Sequence, residues 1–248
     1  MRNAKIYVQE RADHRDIGRR MDWDWQGKDL RVKVLYSQKG IATQIWVATS
    51  TGYFLMDCGD GILRDLFPYS ADWIHRLSAI LLSHSHFDHV AGLFALLSFL
   101  RLRNRTASLV IASPDRSFLQ EIRRFRDRMF AGFPYELDLR SIEESSPYQC
   151  AGFQIRSFAV PHSEHASFFG QAMPVLAAGY CLESAQGEIV LYSGDTGWFS
   201  GLSRYVRGVD LAILEATFDL PKGEGRHLTL EQAQQLGRLA KTTILVHR

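Results

Sequence analysis

Cysteine is scarce: the 248 residues hold three, Cys58, Cys150 and Cys181, far apart and never in a CxxC pair. That spacing excludes a disulfide framework and a thiolate zinc knuckle, so all three read as reduced thiols. No sign of charge dominates either. Lys+Arg and Asp+Glu nearly cancel at a formal +2, which excludes an overall field for nucleic acid or an acidic membrane and leaves any basic site local. Long apolar runs are missing: none reaches membrane-spanning length. The N-terminal stretch carries Arg2, Lys5, Arg11, Arg15, Arg19 and Arg20 and has no apolar segment of the kind a secretory signal needs. Internal repeats and low-complexity linkers are also lacking. These absences lead to the expectation of a cytoplasmic protein without membrane contact. Hydrophobic residues at 46% and charged residues at 23% are globular values, and the length suits one large domain.

From Leu30 onward, short runs rich in β-branched and aromatic residues predict strands at 32–36, 44–48, 53–56 and 79–82. An apolar helix follows at 93–102 and an amphipathic one at 117–130, where Phe118, Ile122, Phe125 and Met129 recur at helical spacing. Further strands are expected at 153–160, 187–192, 210–214 and 243–246, with a helix over 230–241 opened by a Thr229/Gln232 capping box. Residues 1–29 show little periodicity and are set apart as an unplaced extension from a domain spanning 30–248. Strands and helices in this order imply helices packed outside sheets.

The chemistry is concentrated in His84-Ser85-His86-Phe87-Asp88-His89, which follows the strand at 79–82. Residues 84 and 86 project to one side of an extended segment, and Asp88 and His89 follow where the chain leaves it. One short loop can therefore serve two metals. Imidazole and carboxylate donors suit zinc first, with manganese or iron as alternatives. His14 and His75 have no clustered partners and read as surface or structural residues.

The HxHxDH segment after an apolar strand resembles the hallmark of the metallo-β-lactamase superfamily. His162 in Val160-Pro161-His162-Ser163, Asp195 in Ser193-Gly194-Asp195-Thr196 and His247 in Leu245-Val246-His247 agree with the family's later motifs in order. The resemblance covers roughly residues 30 to 248. It implies an α/β (α+β) fold, a four-layer αββα sandwich, and a hydrolase with two divalent metal ions. Carried over position by position, His84, His86 and His162 would hold one ion, Asp88, His89 and His247 the other, and Asp195 would bridge them. His165, three residues after His162, stands as an alternative third ligand. Asp88 would also orient the nucleophile, and Asp57 in Asp57-Cys58-Gly59-Asp60-Gly61 would orient a ligand from behind. His247 lies beside Arg248, the last residue given, and is expected to be the least firmly held ligand.

Glu215-Ala216-Thr217-Phe218 and His227-Leu228-Thr229 resemble elements of the ribonuclease Z-like phosphodiesterases. In that branch His227 would be the general acid for the departing oxygen and Glu215 its orienter. Only residues 163–194, 32 in all, separate His162 from Asp195, too few for the long arm with which ribonuclease Z enzymes grip tRNA. A small or nucleotide-like phosphodiester is therefore expected in preference to tRNA, with Phe168, Phe169, Met173 and Val175 in an apolar insertion that forms either a lid or an inert loop. Hydrolysis of a lactone, thioester or β-lactam on the same metals is one alternative, and a non-catalytic metal-binding sensor is another. The arginines at 101, 103 and 105 and at 123–128 are weighed as phosphate attractors against a solvated helix face, which is favoured. A homodimer is expected on base rate alone.

Overall fold

A computed structural model describes residues 4–8, 23–129, 133–142, 147–166, 171–219 and 226–248. Phe168, Phe169 and His14 lie outside the described residues. Strand β1 (Lys5–Val8) belongs to the second of two seven-stranded sheets. The first sheet runs in chain order: β2 (Trp23–Gln26), β3 (Leu30–Gln38), β4 (Ala42–Thr49), β5 (Tyr53–Met56), β6 (Leu77–Leu81), β7 (Leu109–Ser113) and β8 (Leu137–Ser141). Its first four strands are antiparallel and its last four parallel. The second sheet is built from β9 (Tyr148–Cys150), β10 (Phe153–Val160), β13 (Ala177–Glu183), β14 (Ile189–Tyr192), β15 (Leu211–Glu215) and β16 (Thr242–Val246), with β1 on its far edge beside β16. Between β10 and β13, a separate hairpin pairs β11 (Ser163–Ala166) with β12 (Gln171–Pro174).

The two sheets bury one apolar layer between them, including Val32, Ile45, Phe54, Tyr180, Val190 and Ile213. A second layer lies outside the first sheet under α1 (Ile62–Leu66), α2 (Trp73–Arg76), α4 (Leu93–Leu102) and α5 (Arg116–Met129); the short α3 (Phe87–Val90) lies between α2 and α4 in sequence. A third lies outside the second sheet under α6 (Leu202–Val206) and α7 (Leu230–Gly237). The result is the expected four-layer αββα sandwich. Apolar side chains on both faces of β6 and β15 find cover on both sides, which is why those strands read as continuous apolar runs.

The expected helix at 93–102 forms with those bounds, and Thr229 and Gln232 exchange both bonds of the capping box. The last helix stops at Gly237, four residues short of the expectation, where Thr243 Oγ1 donates to the Gly237 carbonyl and packs where a Cβ would project. The segment set apart as residues 1–29 supplies β1 and β2, one to each sheet. Arg105 is a correction to the favoured reading of the arginine-rich segments as a solvated face. It is fully buried and donates to the carbonyls of Ile74, Leu77, Ala107 and Ser108, so it offers nothing to a phosphate. Among the described residues no helix is long and apolar enough to cross a membrane.

Candidate metal centre

The candidate residues converge because they sit beyond the carboxyl ends of strands that run in one direction, the usual place for a site on parallel sheets. Asp57 follows β5, His84 and His86 follow β6, His162 follows β10, Asp195 follows β14, and His247 follows β16. Glu215 closes β15, and His227 precedes α7. Asp88 and His89 ride on α3, which is tied to the end of β5 by backbone bonds from Cys58 N to His89 O at 2.7 Å and Gly92 N to Cys58 O at 3.0 Å. Gly194 takes a left-handed φ of 60° and lies against Ser83, so a side chain there would collide with the loop that carries the histidines.

All nine residues named from the sequence come together. Five overlapping sets place their donor atoms within 4.8 Å of one another: His84/His86/His162, Asp88/His89/His247, His84/His89/Asp195, His162/Asp195/His227 and Glu215/His227/His247. The first two coincide with the triads expected from the motifs. Asp195 lies 3.6 Å from His89 and 3.4 Å from His247, between the triads. His162 Nε2 is 3.2 Å from His86 Nδ1. The backbone of His165 lies in β11, paired with Ala172. His75 is exposed, away from the cluster.

Two atoms test whether the site suits a cation. His89 Nε2 and Asp195 Oδ1 are buried, make no hydrogen bond and face one another at 3.6 Å, beyond hydrogen-bond reach. Leaving such atoms unsatisfied is costly, and a cation shared by a nitrogen lone pair and a carboxylate oxygen relieves it. The protonation states of most donors agree; His89 is the exception, since against its burial the carboxylates of Asp195 and Asp57 raise it well above the ordinary histidine range, and it has to give up that proton to ligate. Burial pushes His84 well below the ordinary histidine range, with His89 adding to the effect, and burial also lowers His162. Burial opposes the ionised form of Asp88, yet the bond from His247 and the charge of His89 bring its pKa down to about 2. Against the same opposition, His247 and His89 hold Asp195 well below the carboxylate range. Neutral imidazoles and ionised carboxylates are the ligating forms.

Around the donors lies a shell that fixes their nitrogens. Asp57, fully buried with φ 59°, accepts from Ser83 N at 2.7 Å, Ser83 Oγ at 2.8 Å, Tyr192 OH at 2.6 Å and His89 Nδ1 at 2.7 Å. His89 therefore presents Nε2 to the site. Thr217 Oγ1 donates to Glu215 Oε2 at 2.7 Å and stands 2.9 Å from His247 Nδ1, which turns His247 Nε2 toward Asp88 at 3.2 Å. Ser37 Oγ accepts from His247 N, and Gly40 N donates to Asp88. His247, expected to be loosely held, is 2% exposed and bonded on both its ring and its backbone. Ser85 Oγ donates to Asp115, whose other oxygen caps the first turn of α5 through Ser117 N and Phe118 N. Sequence reading named Asp57 but missed Ser37, Ser83, Asp115, Tyr192 and Thr217 as partners, because hydroxyls and a lone Asp carry no spacing signal.

Glu215 and His227 form a pair of a different kind. His227 Nδ1 lies 2.9 Å from Glu215 Oε1 and 3.7 Å from Asp195. Glu215 is fully buried, and its remaining acceptor sites take Thr196 N, Thr217 N and Thr217 Oγ1. Burial alone would discharge His227, but the Glu215 carboxylate outweighs it and raises the imidazole above its usual value, Lys39 opposing. Lys39 Nζ in turn sits 4.2 Å over the ring of Phe218, which meets His227 edge-on.

A family model described as a beta-lactamase superfamily domain matches residues 53–247. The chain belongs to the metallo-β-lactamase superfamily. A ribonuclease Z of Bradyrhizobium sp. (strain ORS 278) is 31% identical over 208 residues, 66% of this chain and 67% of that protein. Two solved structures share the fold. The metallo-β-lactamase fold protein YhfI of Bacillus subtilis has a TM-score of 0.71 at 21% identity, over 89% of this chain and 86% of its own. The short form of human tRNase Z has 0.69 at 18%, over 87% and 92%. This metallo-β-lactamase-fold protein is thus a hydrolase of the ribonuclease Z-like branch, and its His/Asp clusters suit the divalent metals that the fold implies.

Proposed function

We propose that this hydrolase is a dinuclear, zinc-dependent phosphodiesterase acting on a small or nucleotide-like phosphodiester. His84, His86 and His162 would hold one ion, Asp88, His89 and His247 the second, and Asp195 both. Bound there, the ions would neutralise phosphoryl oxygens and make a water acidic enough to attack. Asp88 orients that water and accepts its proton. The new P–O bond forms as the bond to the leaving oxygen breaks, and that oxygen takes a proton from His227. Because Nδ1 is committed to Glu215, Nε2 is the nitrogen that delivers it. The products are a phosphomonoester and an alcohol.

The single observation that carries this reading is the His227–Glu215 contact at 2.9 Å. A carboxylate with every acceptor site already committed has no role left but to orient and charge its histidine, and a charged imidazole beside the donor cluster is a proton donor. The short 163–194 stretch supports a small substrate over tRNA. The test pairs metal content by inductively coupled plasma mass spectrometry with hydrolysis of bis(p-nitrophenyl) phosphate on the same sample. Close to two ions per chain and turnover that falls at least a hundredfold in His227→Ala are expected, from the usual size of general-acid contributions. Two ions with turnover of a lactone or thioester and none of the phosphodiester would overturn it.

A further inference from the structure

The outer face of the second sheet is not covered evenly. α6 and α7 pack over β14, β15 and β16 through Leu202, Val206, Ala233 and Leu236, while β10 and β13 reach past the edge of α6. Between that helix and those strands lies a cavity of about 710 Å³, within the range of small-molecule sites. Arg156 from β10, and Arg204 and Arg207 from α6 and its end, are among the residues that line it.

These three guanidiniums differ. Arg156 is spent: it donates to Gln154 and Glu183, each at 2.6 Å. Arg204 and Arg207 are exposed and meet no carboxylate among the described residues. With no carboxylate beside either, an anion that reaches both would be held by charge-assisted hydrogen bonds from two sides.

The wall that carries them is fixed. A Cβ on Gly179 would fall 2.2 Å from the Phe158 ring, so only glycine lets that ring lie flat on β13. Tyr205 stacks on the outer side of Phe158 at 4.0 Å between centroids and 11° between planes. This stack anchors the backbone of α6 next to Arg204 and two residues before Arg207, so the segment that carries them is held before any ligand arrives. Cys181 and Ile189 add apolar lining beside it. The cavity is separate from the metal centre: Arg156 precedes His162 by six residues along β10, about 20 Å at strand rise.

We propose that this cavity binds a small organic phosphate of mononucleotide size, its phosphate held by Arg204 and Arg207 and its apolar part lying against Tyr205, Cys181 and Ile189. A nucleic-acid backbone is a poorer match, because it needs a continuous basic track and the chain is nearly neutral overall.

Calorimetric titration of the metal-loaded protein with AMP, and separately with inorganic phosphate, tests this. AMP should bind more tightly than phosphate. The double variant Arg204→Ala/Arg207→Ala should weaken AMP by at least tenfold, as loss of charge-assisted bonds predicts, while Arg103→Ala on the opposite face changes nothing. Both arginines are exposed, so the melting temperature and bis(p-nitrophenyl) phosphate turnover of the double variant should stay at wild-type values. The proposal is overturned by AMP affinity unaltered in the double variant, by AMP binding no tighter than phosphate, or by binding only of a single-stranded oligonucleotide that depends on the two arginines.

Discussion

Asp57→Asn removes one charge and almost no volume, and its effect is set by the four donors around that side chain. Asp57 is fully buried and accepts from all of them. Asn tolerates the left-handed backbone at φ 59°, so the loop keeps its path. Its Oδ1 still accepts from Ser83 N, and of the two new amide hydrogens one can be taken by the Ser83 or Tyr192 hydroxyl, which rotates to accept it. His89 has no such freedom. An NH₂ group facing Nδ1 moves the imidazole proton to Nε2, the atom that faces Asp195 and has to be a bare lone pair to ligate. Exchange of such an outer partner costs about 10–100-fold in metal affinity, or roughly 1.4–2.8 kcal/mol. That agrees with the loss of one charge-assisted hydrogen bond at about 1.5–3 kcal/mol. Zinc affinity is read by competition with a chromophoric chelator, and retained ions are counted by mass spectrometry after dialysis. The variant should keep its circular dichroism and one tightly held ion while the second weakens into this range. A folded variant with both zinc affinities unchanged would refute the reasoning.

Glu215→Gln should lower kcat and shift the alkaline limb of the phosphodiesterase pH profile to lower pH, because Glu215 raises His227 and the charged imidazole is lost as pH rises through that value; an unmoved limb would count against the proton-donor role. Asp115→Ala should destabilise the protein by about 1 kcal/mol as a lost helix cap. Hydrogen bonds from Ser117, Ser85 and the Phe118 amide outweigh burial and lower the Asp115 pKa, so its contribution is complete above about pH 4 and disappears as pH falls through the lowered value. Urea melts of wild type and variant should accordingly converge as pH falls through that lowered value, and a constant difference would contradict the assignment. Removing metal with a chelator should lower the melting temperature by about 8–16 °C relative to protein with free zinc a thousandfold above Kd, from roughly 4 kcal/mol of linkage, and an unchanged melting curve would argue against a resident metal.

What the sequence determined by itself was whatever is local. The six residues from His84 to His89 are one loop, the capping box at Thr229 and Gln232 is one helical turn, and the apolar runs of β5, β10 and α4 are set by burial along a single element. Each of these depends on neighbours a few residues away, so spacing alone exposes them. The tertiary structure decided the rest. Tyr192 reaches Asp57 across 135 residues of chain, and Thr217 orients His247 across 30, because strand order places those strand ends side by side. Glu188 accepts three successive backbone amides, from Lys28, Asp29 and Leu30, and so ties the β13–β14 turn to the start of β3, a link no periodicity reveals. Arg105 reads as one more surface cation in a basic run, yet its guanidinium is buried because α2, β6 and the loop before β7 turn four carbonyls toward it. A residue type and its spacing announce which donors a chain carries, but which donors share one cation, and which arginine keeps its charge in solvent, depends on packing two sheets face to face.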